Sequence, residues 1–234
     1  MKISILALAG AALCATQAGA VEFLGGSVGL SYSAYTGDTS VNRLGIEGSA
    51  EVGLSYAWSV QGDLNFQRYN LLDGRSNGIG LHGVYRLNSA TAFGGFVVRE
   101  NTRVTDIDTL GVEVAHDVGA FELEGYLAHF DNGFLDGTMY GVGGRYLMPS
   151  GLGLTLSYDS AQQSGDDFYR TGLKLDRDVA EGFNLFVEVG VAHTDVASFS
   201  GSEPFVGLGG SYAFGPQGGA TFDARGLARL LPGG

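Results

Sequence analysis

Four histidines carry most of the chain's capacity for acid–base or nucleophilic chemistry: His82, His116, His129 and His193. Asp131 lies two residues beyond His129, and Asp195 two beyond His193. A hydrolase would need such a pair within reach of a nucleophilic serine. No Gly-x-Ser-x-Gly elbow occurs, and no histidine pair has the spacing of metal ligands. Asp106-Ile107-Asp108 is the nearest approach to a calcium loop, and it lacks the further acids and the glycine of one. Asp166 and Asp167 fit solvated loop charge. The expectation is a protein with no catalytic residue, no cofactor and no metal. A hydrolase built on the two histidine–aspartate pairs is the weaker alternative.

A second set of charges follows a different rule. Glu47, Glu51, Asp63, Arg86, Arg99, Glu113, Glu122, Glu124, Arg145, Arg170, Lys174 and Glu188 lie within alternating segments, on the face opposite the apolar one. Residues 44–58 show the pattern. Leu44, Ile46, Ala50, Val52, Leu54, Tyr56 and Trp58 alternate with Glu47, Ser49, Glu51 and Ser55. That is strand periodicity, sustained longer than a helix pattern allows. It recurs to residue 214 and gives about twelve strands, with an error of about two. Connections near 58–60, 88–90, 117–120, 148–151 and 178–182 read as short turns. Those at 36–43, 68–78, 101–106, 131–137, 161–167 and 193–203 read as longer polar loops.

Aromatic residues mark the strand ends. Trp58, Tyr85, Tyr146, Phe183 and Tyr212 lie near the short turns, and Tyr32, Phe66, Tyr140, Tyr158 and Tyr169 near the longer loops. Two aromatic belts around an aliphatic middle fit two lipid–water interfaces. A soluble sandwich also alternates, but it would turn the mid-strand charges to bulk water. In a barrel they line a wet lumen.

Composition supports the membrane barrel. Glycine is 40 of 234 residues, against a usual ~7%, and glycine on a strand relieves crowding at bends and close approaches. The formal charge is −12, which disfavours nucleic acid as a partner. Residues 1–20 have a basic start at Lys2, an apolar run and an Ala-Gly-Ala end, the form of a cleavable export signal. The single cysteine, Cys14, falls inside it. Three parts are therefore expected: signal peptide 1–20, transmembrane barrel 21–214 and a Gly/Pro-rich periplasmic tail 215–234. An even strand count puts both barrel termini on the short-turn side, the periplasm in such barrels. The tail has Arg225 and Arg229 four residues apart, with Leu227, Leu230 and Leu231. Either it is a disordered appendage, or it forms a short helix whose arginines dock on lumen carboxylates as a plug.

The export signal, the hairpin LGIEGSAEVGLSYAWSVQGDLNF at 44–66 and the last strand PFVGLGGSYAF at 204–214 together resemble the Gram-negative porin family, and more broadly outer-membrane β-barrels. The Tyr-x-Phe ending resembles the signal read by the barrel assembly machinery. The resemblance implies an outer-membrane channel, embedded in lipid, for passive diffusion of ions and small hydrophilic solutes, and it is compatible with homo-oligomers. General porins are larger, with roughly 16 strands, and their last strand closes the chain, whereas twenty residues follow Phe214 here. Inward acids outnumber inward bases, so mild cation selectivity is expected. A non-conducting structural barrel is the alternative.

Overall fold

The computed structural model describes residues 21–70, 74–133, 136–196 and 199–230. The export signal expected at 1–20 lies outside the described residues. Twelve strands follow in chain order: β1 (Glu22–Tyr35), β2 (Asn42–Gly53), β3 (Trp58–Tyr69), β4 (Gly74–Arg86), β5 (Thr91–Thr102) and β6 (Asp106–Val118). Then come β7 (Phe121–Asp131), β8 (Asp136–Leu147), β9 (Leu152–Gln163), β10 (Asp166–Ala180), β11 (Phe183–Val196) and β12 (Phe199–Phe214). Each pairs antiparallel with its chain neighbour. β1 closes the ring on β12 over an unbroken register from Gly26↔Phe214 to Tyr35↔Phe205. Closure leaves no free edge, so the backbone polar groups are satisfied within the ring, which is what a lipid environment demands.

Period two decides which side chains meet lipid. Leu30, Ile46, Val112, Leu156 and Leu208 all stand outward, each more than half exposed. Their strand neighbours Ser31, Glu47, Glu113, Ser157 and Gly207 turn inward. Trp58 packs against Tyr85, and Phe121 against Tyr146, at the end of the barrel where β1 begins and β12 ends. A chain of rings, Tyr140–Tyr158–Tyr169–His193, crosses four adjacent strands near the other end.

The loops are shorter than the sequence pattern predicts. β3 continues to Tyr69 and β4 begins at Gly74; β11 continues to Val196 and β12 begins at Phe199. Polar and glycine-rich residues there keep their cross-strand hydrogen bonds, because backbone pairing does not depend on an apolar face. At 16 residues β12 exceeds the ~9–11 that a tilted strand needs to cross the bilayer. The connection at 36–41 remains the long one, while 54–57 and 148–151 on the opposite side have four residues each.

β5 departs from the alternation of its neighbours. Its inward face is Ala92, Gly94, Phe96, Val98 and Glu100, and its outward face is Phe93, Gly95, Val97 and Arg99. Arg99 therefore does not line the pore. It pairs with the outward Asp108 at 2.5 Å, both well exposed. Both faces of β5 are apolar, so alternation alone could not orient it.

Candidate functional site in the lumen

The lumen holds a segment that is not part of the wall. After Phe214 the chain turns at Gly215, Gly218 and Gly219, all at positive φ. Here glycine is needed, since L residues with a Cβ rarely adopt these angles. The backbone passes so close to β1 that a Cβ on Gly25 would collide with the Gly219 carbonyl oxygen. The Gln217 amide donates to the Leu24 carbonyl at 2.8 Å.

From there residues 221–230 climb the inside of the wall formed by β2–β7. The Thr221 amide donates to Glu51 Oε2 at 2.8 Å. Gln61 holds Phe222 by both backbone groups: its Nε2 donates to the carbonyl at 2.8 Å, and its Oε1 accepts from the amide at 3.1 Å. The Phe222 ring is buried with Val84 and Ala92 and stacks on His82. Further up, Glu100 accepts from the Leu227 amide at 2.6 Å, and the Tyr69 hydroxyl donates to the Ala228 carbonyl at 2.6 Å. Arg43 Nη1 donates to the Arg229 carbonyl at 2.6 Å. Between Phe222 and Ala228 the wall advances from Gln61 to Tyr69. A six-residue helix would rise only ~9 Å, well short of the eight-residue interval along β3 at ~3.4 Å each. The segment runs extended and in turns, and the short helix weighed for it does not form.

Both arginines of the segment meet carboxylates. Arg225 Nε lies 2.9 Å from Glu113 Oε2; its Nη2 contacts Glu124, and its guanidinium sits over the Tyr126 ring at 4.6 Å. Arg229 Nε lies 2.8 Å from Glu47 Oε1. Burial alone would lower the Arg229 pKa, but the carboxylates of Glu47, Asp223 and Asp159 outweigh it and hold the pKa above its usual value. His82 is buried between two acids, with Nε2 2.6 Å from Asp63 and Nδ1 2.6 Å from Glu113. Leu230 joins Phe96, Val98, Ile107, Phe130 and Met139 in an apolar cluster inside the barrel. These contacts correspond to the docked state weighed for the tail. Residues 231–234, with Leu231, lie outside the described residues.

The opposite wall is open. A cavity of about 810 Å³ runs beside the segment, from Ala213 and Gln217 near one mouth to Ser33 and Arg43 near the other. Gly29, Ser31, Gly141, Ser157 and Gly207 give it width. Its charges are Arg145, chelated by Asp176 and reaching Glu122 at 3.0 Å, and Arg170, paired with Glu188 at 2.7 Å and set over the Phe205 ring. Lys174 lies over Phe186 at 5.6 Å. In all, six basic residues and seven acidic ones line this space.

Eleven of the twelve charges singled out in the sequence thus face the interior, with Arg99 outside. Glu51, Asp63, Glu113 and Arg86 are sequestered in the tail-covered wall; Arg86 donates to Glu51 at 2.6 Å. Arg43, Gln61, Tyr69, Glu100 and Phe222 are among the interior residues that alternation did not single out. His193 Nδ1 meets Ser202 at 2.8 Å, and the Asp131 carboxylate accepts from the Gly133 amide at 2.7 Å. Among the described residues no group of three or more His, Cys, Asp or Glu side chains is placed to hold a metal ion.

A closed twelve-stranded barrel with a polar interior defines an outer-membrane channel fold. Residues 52–198, more than half of the chain, match the Gram-negative porin family, and the chain belongs to it. Solved porins share the fold at low sequence identity. A KdgM porin in complex with disordered oligogalacturonate is 10% identical, with a TM-score of 0.60 over 80% of this chain and 99% of that one. The NanC porin is 8% identical, with a TM-score of 0.62 over 79% and 98%. An outer-membrane channel from Pseudomonas putida is 14% identical, with a TM-score of 0.54 over 86% and 98%. No curated protein matches in sequence.

Proposed function

We propose that the protein is a passive channel, not an enzyme, and that ions and small hydrophilic solutes cross the outer membrane through the open half of the lumen. The observation that carries this is the cavity of about 810 Å³ beside the docked segment, lined at both mouths and along its length by small and charged residues. Residues 1–20 direct export, the barrel assembly machinery inserts the chain, and the mouth where β1 begins faces the periplasm. KdgM, similar in fold, has been captured with an oligosaccharide, and an extended hydrophilic solute suits a long half-lumen of this kind.

Selectivity is weak and favours cations. Six bases nearly balance seven acids along the path. The remaining bias comes from carboxylates at the rim, among them Asp38, Asp167, Asp195 and Glu203, which raise the local cation concentration. Planar-bilayer recording of the refolded protein in a KCl gradient tests both statements. Small ohmic steps with a reversal potential displaced modestly toward the cation value are expected. Silence from a folded, heat-modifiable barrel would instead favour a filled, structural barrel, and a clear anion preference would overturn the selectivity.

A further inference from the structure

We infer that the inner wall formed by β2–β7 is a peptide-binding groove. Its resident ligand is the chain's own segment 221–230, and its ligand class is an extended peptide with two basic side chains four residues apart, preceded by an aromatic anchor.

The segment adds no strand to the sheet. The ring is complete at Phe214, and β1 pairs with β12 without the tail's help. The wall recognises the segment as a peptide, through main-chain groups. Gln61 takes the amide and carbonyl of one residue, Glu51 and Glu100 take further amides, and Tyr69 and Arg43 take carbonyls. Such contacts do not depend on which chain supplies the backbone. Sequence enters at four places: the apolar seat of Phe222, the Glu113–Glu124–Tyr126 seat of Arg225, the Glu47 seat of Arg229 and the apolar cluster that takes Leu230.

Without the segment, the wall would be left with Glu47, Glu51, Glu100 and Glu113 facing water, a surface that favours a cation-bearing chain.

The test uses the full chain with Arg225→Ala and Arg229→Ala together, which loosens the resident segment and leaves the groove intact. A fluorescent peptide with the sequence of residues 217–230 is titrated into the folded barrel in detergent and followed by anisotropy. Binding at least tenfold tighter to the variant than to the unaltered chain is expected, because the unaltered groove is filled. A peptide with alanine at both arginines should bind at least tenfold more weakly, and one with lysines should recover part of the loss. Should the double variant not fold, Phe222→Ala keeps every ion pair and vacates the apolar seat, with the same expected order. Equal binding to altered and unaltered chains, or equal binding of the alanine peptide, overturns the inference. The groove lies in the lumen on which the channel reading rests, but anisotropy needs no current: a barrel that binds the peptide and never conducts contradicts the channel alone.

Discussion

The two halves of the lumen solve the same problem differently. Both are built from inward residues of antiparallel strands, and both carry charge where a small barrel would pack its own side chains. In the β2–β7 half the carboxylates under the segment are buried and answered: Glu113 by His82 and Arg225, Glu51 by Arg86 and the Thr221 amide, Glu100 by two amides of the segment. In the β8–β12 and β1 half the residues are mostly glycine and serine, and the arginines stay in contact with open space. A lumen can thus be closed on one side by a polar, peptide-like filling and kept wet on the other. What separates the halves is the tail, since the wall has the same architecture throughout.

The largest effect should come from removing the tail. A chain ending at Phe214 should roughly double the single-channel conductance, because the segment occupies about half of a lumen too wide for wall side chains to fill. An unchanged step size would mean that the tail does not obstruct. Next comes Glu113→Ala, which strips the carboxylate from both His82 and Arg225 in a buried site. Breaking a buried pair in this way costs about 3–5 kcal/mol, and it should lower the thermal midpoint of the intact chain far more than that of a chain lacking the tail. Phe222→Ala should cost about 3 kcal/mol through lost packing against Val84 and Ala92. A thermal melt of the intact chain carrying this change checks it: the midpoint should fall by less than in Glu113→Ala, and an unchanged midpoint would show that the ring adds nothing to the docking.

Changes in the open half should move ions and leave stability alone. Lys174→Glu alters a cation that meets a ring and, among the described residues, no carboxylate within ion-pair distance. Its reversal potential in a KCl gradient should shift further toward the cation value, with the thermal midpoint nearly unchanged. Smallest of all is Arg99→Ala. An exposed pair with Asp108 is worth no more than about 1 kcal/mol, and an outward residue should not touch selectivity. A changed reversal potential would put Arg99 back in the pore.

The barrel was legible because alternation is a local property with a global cause: Leu44 through Val52 repeat the choice between lipid and lumen at every residue. That signal fails where both sides are dry. Phe96 and Val98 face the lumen because Phe130 and Leu230 make that part of the interior apolar, and Leu230 lies more than a hundred residues away. Loop lengths failed for another reason. Polar residues at strand ends fold no differently from loop residues in composition, and only their cross-strand pairing distinguishes them. The tail showed its arginines, and charge complementarity with the lumen acids hinted at docking. The part played by Gln61, Tyr69 and Glu100 had no signal, because they bind main chain, and main chain leaves no trace in the pattern of residue types.

Two serines, one in each half, allow the comparison to be measured directly. Ser157 lines the open cavity, whereas Ser59 is 1% exposed and bound to Glu51 and Arg86. The chain's one cysteine is Cys14, within residues 1–20, so Ser157→Cys and Ser59→Cys each give the barrel a single thiol. A charged, water-soluble thiol reagent should react with the first within the conducting channel and lower its current in discrete steps, while the second stays silent until residues 215–234 are removed. Equal rates at the two positions in the intact chain would contradict a lumen divided by its own tail.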